Sequence, residues 1–250
     1  MIPPLPLNTL KSSLYLGLVL LIIMLSSVRP ATASLDEADQ KQVQELIENY
    51  ILQNPQIIRD ALAALEIREE AARLTAALDL VRQDGDDPVM GNPEGDITIY
   101  EFSDYNCGYC KRLFATLMEV LDEDDQVRLV IKEFPILAES SVLAARAGIA
   151  AHNQGQFDSF HRSMMTAGGR IDERLIRRAA RQAGVDMDRF DADMESSRTT
   201  ELLRTTMLAA QQLDIRGTPA LVIGDRLVPG AISKSEIMAL INELRDAKNR

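Results

Sequence analysis

The only cysteines in this 250-residue chain, Cys107 and Cys110, stand three positions apart. That spacing restricts what the chain can build more than any other feature. Ile97-Thr-Ile-Tyr-Glu-Phe102 before them reads as a buried strand, and the residues from Cys107 to about Leu121 read as a helix. Two cysteines exclude a disulfide framework and a four-cysteine zinc site. Histidine completing a zinc site is disfavoured as well. The only two, His152 and His161, lie nine apart in a helical region and read as ordinary helix residues. A disulfide closing so short a loop is also a poor brace. The chain-entropy rule gives it about 2 kcal/mol, against about 3 kcal/mol for a fifteen-residue loop. The pair is better suited to a reversible switch than to a structural staple.

The strand-to-helix context supplies the chemistry. A helix N-terminus has unpaired N–H groups and a partial positive charge, and a thiolate placed there is stabilised relative to an ordinary cysteine. Cys107, at the helix mouth, is expected to be the more exposed and hence the nucleophile. Cys110, one turn in, can attack a mixed disulfide formed on Cys107. No cofactor or metal is needed beyond the Cys107–Cys110 dithiol/disulfide itself.

The first 33 residues carry the layout of an export signal. Lys11 gives a weakly positive start, Leu14 to Leu25 is a twelve-residue apolar run, and Ala31-Thr32-Ala33 offers a small-x-small cleavage pattern. The run is shorter than the roughly 20 residues that span a bilayer, and the alternative reading is a signal retained uncleaved as a membrane anchor. Cleavage near Ala33 removes two cations, Lys11 and Arg29, and no acid, so the formal charge moves from −11 to −13. So acidic a chain repels phosphate backbones, and nucleic acid is not an expected partner. The expected location is outside the cytoplasm, the periplasm in particular, where disulfides persist.

Residues 34–84 read as a separate helical segment. Ser34 and Glu37 form a capping-box pattern, followed by a helix with Val43, Leu46, Ile47, Tyr50 and Ile51 on one face. Asn54-Pro55 restarts a second helix, which runs to about Arg82. These helices have little to pack on, and the reading favoured is that their apolar faces meet copies of themselves, the other being that they fold back on the main domain. The segment has eleven acids and five bases, so self-association there must rest on apolar contacts.

Residues 85–250 read as an α/β domain. Val127, Leu129 and Ile131 suggest a second strand. A helical insertion at about 138–214 follows, then a hairpin of Ala220–Ile223 and Arg226–Val228 around Gly224-Asp225, and a last helix from about Ser233 to Arg245. Glu101 stands out on the strand that otherwise reads as buried. It is either an acid with a raised pKa that relays the Cys110 proton, or an edge-facing glutamate paired with Lys132. Thr218-Pro219 directly precedes a strand, where proline marks a special turn; its cis or trans state is left open.

Glu101-Phe-Ser-Asp-Tyr-Asn106 leading into Cys107-Gly-Tyr-Cys110, then Lys132-Glu-Phe-Pro135, then Gly217-Thr-Pro-Ala220 together resemble the DsbA-type thiol:disulfide oxidoreductases of the thioredoxin superfamily. The resemblance spans roughly residues 88–248. It implies a thioredoxin fold with a helical insertion, with Cys107 attacking, Cys110 resolving, Pro219 as a cis-proline facing them and Thr218 contacting substrate. Glu101 falls where the family often has a buried acid. Residues 34–84 are similar to the N-terminal oligomerisation segment of ScsC-like members. Gly108-Tyr109, which the resemblance makes the dipeptide that tunes the pair, and Thr218 before the proline resemble DsbC-type isomerases, which implies a weaker oxidant than DsbA. The partners implied are unfolded or misoxidised exported proteins and a redox partner that resets the site. The alternatives are an oligomeric isomerase or reductase, and a holdase that binds without redox turnover.

Overall fold

The computed structural model describes residues 36–250. The proposed signal and its cleavage site lie outside the described residues. Two compact units divide at Ala64/Leu65.

The first unit holds helix α1 (Glu37–Gln53) and the start of α2 (Gln56–Arg82). Ser34 of the expected capping box lies outside the described residues; Asp36 is the N-cap of α1, its carboxylate accepting the Asp39 N–H at 2.8 Å, and Glu37 is the first helical residue. Asp accepts a cap bond as well as Ser, and its position fits the helix start. Asn54 closes α1 by donating its side-chain N–H to the Tyr50 carbonyl, rather than capping α2. Leu46, Ile47, Tyr50, Leu52, Ile58 and Leu62 are all exposed.

The second unit is built on a five-stranded sheet of order β1-β3-β2-β4-β5. The strands are β1 (Val89–Gly91), β2 (Ile97–Ser103), β3 (Val127–Glu133), β4 (Ala220–Ile223) and β5 (Arg226–Pro229). β2 and β3 are parallel, and the other neighbours are antiparallel. β1, three residues long, is absent from the sequence reading because so short a strand carries no periodicity. Gly224, in the β4–β5 turn, has φ +63°, and a Cβ there would meet Leu244 at 2.7 Å.

Side chains on a strand alternate between faces, and both faces are covered. Ile97 and Ile99 of β2, Leu129 and Ile131 of β3, and Leu221 and Ile223 of β4 share a core with α3 (Gly108–Glu123) and the C-terminal helix. Tyr100, Phe102, Val130 and Val222 face the other way. There they pack with Ala77, Leu78 and Val81 of α2. Helix α3 turns Cys110, Leu113, Phe114, Leu117 and Val120 inward, the three-and-four spacing of one helical face. Between β3 and β4 the chain forms five helices: α4 (Glu139–His152), α5 (Phe157–Thr166), α6 (Glu173–Ala183), α7 (Met187–Glu195) and α8 (Ser197–Gln212). The final helix is α9 (Lys234–Lys248). Among the described residues no helix is long and apolar enough to cross a membrane.

Candidate active site

The two cysteines sit where strand β2 hands over to helix α3. Both are free thiols. Cys107 is the N-cap of α3, and its sulfur accepts the Cys110 backbone N–H at 3.3 Å. Its thiol donates to the Thr218 carbonyl at 3.2 Å. The Thr218–Pro219 peptide bond is cis. Residues distant in sequence, 107–110 and 218–219, are thus brought together. Cys107 keeps 6% of its surface exposed, Cys110 none, and Tyr109 61%. Burial first, and then the charge of Glu101, push the Cys110 thiol well above its ordinary range.

Glu101 lies beneath this pair. Sheet register places Ile131 on one side of it and Leu221 on the other, so it is a carboxyl inserted among apolar neighbours. Among the described residues neither of its oxygens makes a hydrogen bond of good geometry, and the Ser103 hydroxyl is the polar group that acts on it. Burial raises its pKa from 4.5 to about 7, offset only in part by the Ser103 hydroxyl. The pairing with Lys132 does not occur. Lys132 is opposite Phe102, one residue along, and therefore points through the other face of the sheet. Its ammonium instead meets Asp87 at 2.5 Å, both groups buried.

The three residues before Cys107 are each tied to a different element. The Asp104 carboxylate accepts the backbone N–H of Asn106, Ile136 and Leu137. Asn106 donates to the hydroxyls of Ser140 and Ser141 at the start of α4. The Tyr105 hydroxyl lies 2.8 Å from Glu133 and 2.9 Å from His161 Nδ1, all three buried. Burial raises Glu133 well above the usual carboxylate range and lowers His161 to about 3, so burial favours the uncharged form of each. Gly148 of α4 leaves it room: a Cβ there would stand 2.6 Å from Glu133 and 2.8 Å from the Tyr105 hydroxyl. Sequence reasoning passed over Asp104, Tyr105, Glu133 and Gly148, and took His161 for an ordinary helix residue. The available signal was two acids at strand ends, Asp104 directly after β2 and Glu133 as the last residue of β3. His152, by contrast, is half-buried beside Phe157.

A family model described as the DSBA-like thioredoxin domain matches residues 98–241. The chain belongs to the DSBA-like thioredoxin family. A second model, the copper resistance protein ScsC N-terminal domain, matches residues 39–72. A thioredoxin-like oxidoreductase from Silicibacter pomeroyi is 42% identical, with 67% of this chain and 97% of that one covered and a TM-score of 0.65. A periplasmic thioredoxin-like protein from Salmonella enterica serovar Typhimurium is 30% identical over 67% of this chain and 95% of that one, TM-score 0.61. Proteus mirabilis ScsC in a transitional conformation is 26% identical over 85% of this chain and 98% of that one, TM-score 0.62. The chain spans only 28% of a curated relative it matches, a sodium/proton antiporter NhaA of Herminiimonas arsenicoxydans, at 25% identity over 68% of this chain. The fold expectation, a thioredoxin fold with a helical insertion behind an N-terminal helical segment, agrees with these likenesses.

Proposed function

We propose that the chain is an exported thiol:disulfide oxidoreductase that exchanges disulfides with exported proteins through Cys107 and Cys110. The observation that carries this is the Cys107 sulfur at the mouth of α3, accepting the Cys110 N–H and facing the Thr218 carbonyl. In the proposed cycle the Cys107 thiolate attacks a substrate disulfide. A Cys107–substrate disulfide forms and the second substrate sulfur leaves as a thiolate. Cys110 then gives its proton to Glu101 and attacks the Cys107 sulfur, which releases the substrate thiolate and leaves the Cys107–Cys110 disulfide. Run backwards, the oxidised site is attacked by a substrate thiolate and passes its disulfide on. Thr218 and Pro219 present the substrate chain opposite Cys107. The reading needs no organic cofactor or metal, and a separate redox partner resets the pair. The export layout of residues 1–33 and the similarity to a periplasmic protein support an extracytoplasmic site of action.

The reduced full chain is mixed with scrambled ribonuclease and ribonuclease activity is followed. Wild type restores activity and Cys107→Ala does not. Equal recovery by both refutes redox turnover and favours a holdase.

A specific observation favours a second reading, an oligomeric isomerase. Leu46 and Leu52 of α1 are each 69% exposed, and Ile67 of α2 is 70% exposed. Isolated amphipathic helices gain little stability without a partner for the apolar face, and a second copy of the segment supplies one. Sedimentation of the full chain at the monomer mass would remove this reading and leave the exchange chemistry intact.

A further inference from the structure

Helix α3 carries its charges in the reverse of the order that helices favour. The partial positive charge of a helix N-terminus prefers acids in the first turn and bases in the last. Other helices of the chain follow this. α6 has Glu173 in its first turn and Arg181 in its last, and α9 has Glu236 in its first turn and Arg245 and Lys248 in its last. In α3 the first turn holds no acid and the last turn no base. Both its cations, Lys111 and Arg112, lie in the first half, and its acids, Glu119, Asp122 and Glu123, lie in the second.

The two cations are placed differently. Lys111 reaches across to the Ala167 carbonyl, at 2.6 Å. Arg112 lies three residues after Tyr109, so the two share a face of the helix, and its guanidinium carbon is 4.1 Å from the centre of the Tyr109 ring. Tyr109 stands between the two cysteines in the first turn of the helix that Cys107 caps, so it holds this charge over that turn. Many other arginines are occupied by carboxylates, as Arg162, Arg204, Arg226 and Arg245 are. Among the described residues Arg112 has no such ion pair. The guanidinium is stacked on an aromatic face, where its charge is retained, and no carboxylate neutralises it.

We propose that Arg112 is a positioning residue for the redox pair: held on Tyr109, its charge favours the thiolate of Cys107 and sets how strongly the site oxidises. This rests on the reading of Cys107 as the attacking sulfur. The reversed charges of α3 cost helix stability, and a sulfur that reacts as an anion at that end is what gains from them. The same charge favours the leaving of the Cys107 thiolate when a disulfide on it is broken. The oxidised form gains nothing comparable, so the effect pushes the equilibrium toward the reduced protein and makes the disulfide a stronger oxidant.

The test is the alkylation rate of the reduced full chain by iodoacetamide against pH, with the equilibrium against glutathione measured beside it. Charges near a helix end act at the scale of a fewfold change, so Arg112→Ala slows alkylation about threefold at a pH where the thiol form dominates. Arg112→Lys retains most of the rate, and Arg112→Glu slows it about tenfold. Tyr109→Leu, which removes the ring that holds the guanidinium, behaves like Arg112→Ala. The differences shrink in 1 M salt, where the screening length falls to about 3 Å. At a pH where the thiolate is formed, Arg112→Ala moves the glutathione equilibrium about threefold toward the disulfide, about 14 mV. Wild-type alkylation rates in Arg112→Ala with an unchanged melting temperature overturn the proposal. So does an Arg112→Lys variant as slow as Arg112→Ala, since charge would then not be the cause. Cys107→Ala separates the two levels of the argument: if fast alkylation survives in it, the reading of Cys107 itself fails, whatever Arg112 does.

Discussion

Replacing Glu101 by glutamine changes stability in a way that depends on pH, and the structure gives both sign and size. Burial between Ile131 and Leu221 raises the Glu101 pKa from 4.5 to about 7. Below pH 4.5 the carboxyl is protonated in the folded and unfolded chains alike, and it costs nothing extra to bury. As pH rises from 4.5 toward 7 the unfolded chain loses this proton while the folded chain keeps it, so the folded state is progressively disfavoured. At about 1.4 kcal/mol per pKa unit, the full penalty above pH 7 is about 3 kcal/mol. Glutamine has the same shape and no proton to lose. Glu101→Gln therefore leaves urea unfolding within about 1 kcal/mol of wild type below pH 4.5, and stabilises the chain by about 3 kcal/mol above pH 7. Glu133 is buried and raised in the same direction, but it is present in both chains and cancels. The same variant removes the proposed acceptor of the Cys110 proton, so resolution of a mixed disulfide on Cys107 slows while its formation does not. Equal stability of the two chains above pH 7 would refute the reasoning, because it would mean that Glu101 ionises in the folded chain without penalty.

Three further outcomes follow from the packing around the site. His161 is lowered from 6.5 to about 3 by burial, so its contribution is present above pH 6.5 and lost as pH falls toward 3; His161→Phe flattens the acid limb of a stability–pH curve. Gly148→Ala drives a methyl into the Glu133–Tyr105 hydrogen bond and lowers stability by about 1–3 kcal/mol in thermal or urea melts. Lys132→Met leaves Asp87 as an unpaired buried charge and costs about 3–5 kcal/mol, most of which Asp87→Leu in the same chain restores.

Much of the fold was legible because the strands and helices repeat at different periods. The alternation in Val127, Leu129 and Ile131, the Gly224-Asp225 turn and the Asn54-Pro55 break each correspond to an element or boundary near the expected residue. The cysteine pair was legible because its two residues are close in sequence. What escaped depends on which face of the sheet a side chain takes. Glu101 and Lys132 lie on neighbouring strands, but they are offset by one residue and point to opposite faces. The Tyr105–Glu133–His161 cluster draws on β3 and α5 as well as the loop before Cys107, and no local pattern announces such a meeting. The cap of α1 escaped because Asp caps a helix as well as Ser does, and only the backbone shows that Asp36 takes that role.

The division of labour between the two cysteines is the centre of the account. It is tested most directly by trapping: the full chain carrying Cys110→Ala, and separately Cys107→Ala, is incubated with a disulfide-bonded exported protein and analysed by non-reducing electrophoresis and mass spectrometry. Cys110→Ala should accumulate a mixed disulfide mapped to Cys107, because nothing resolves it, and Cys107→Ala should accumulate none. A mixed disulfide on Cys110 in the second variant, or none in either, would contradict the account.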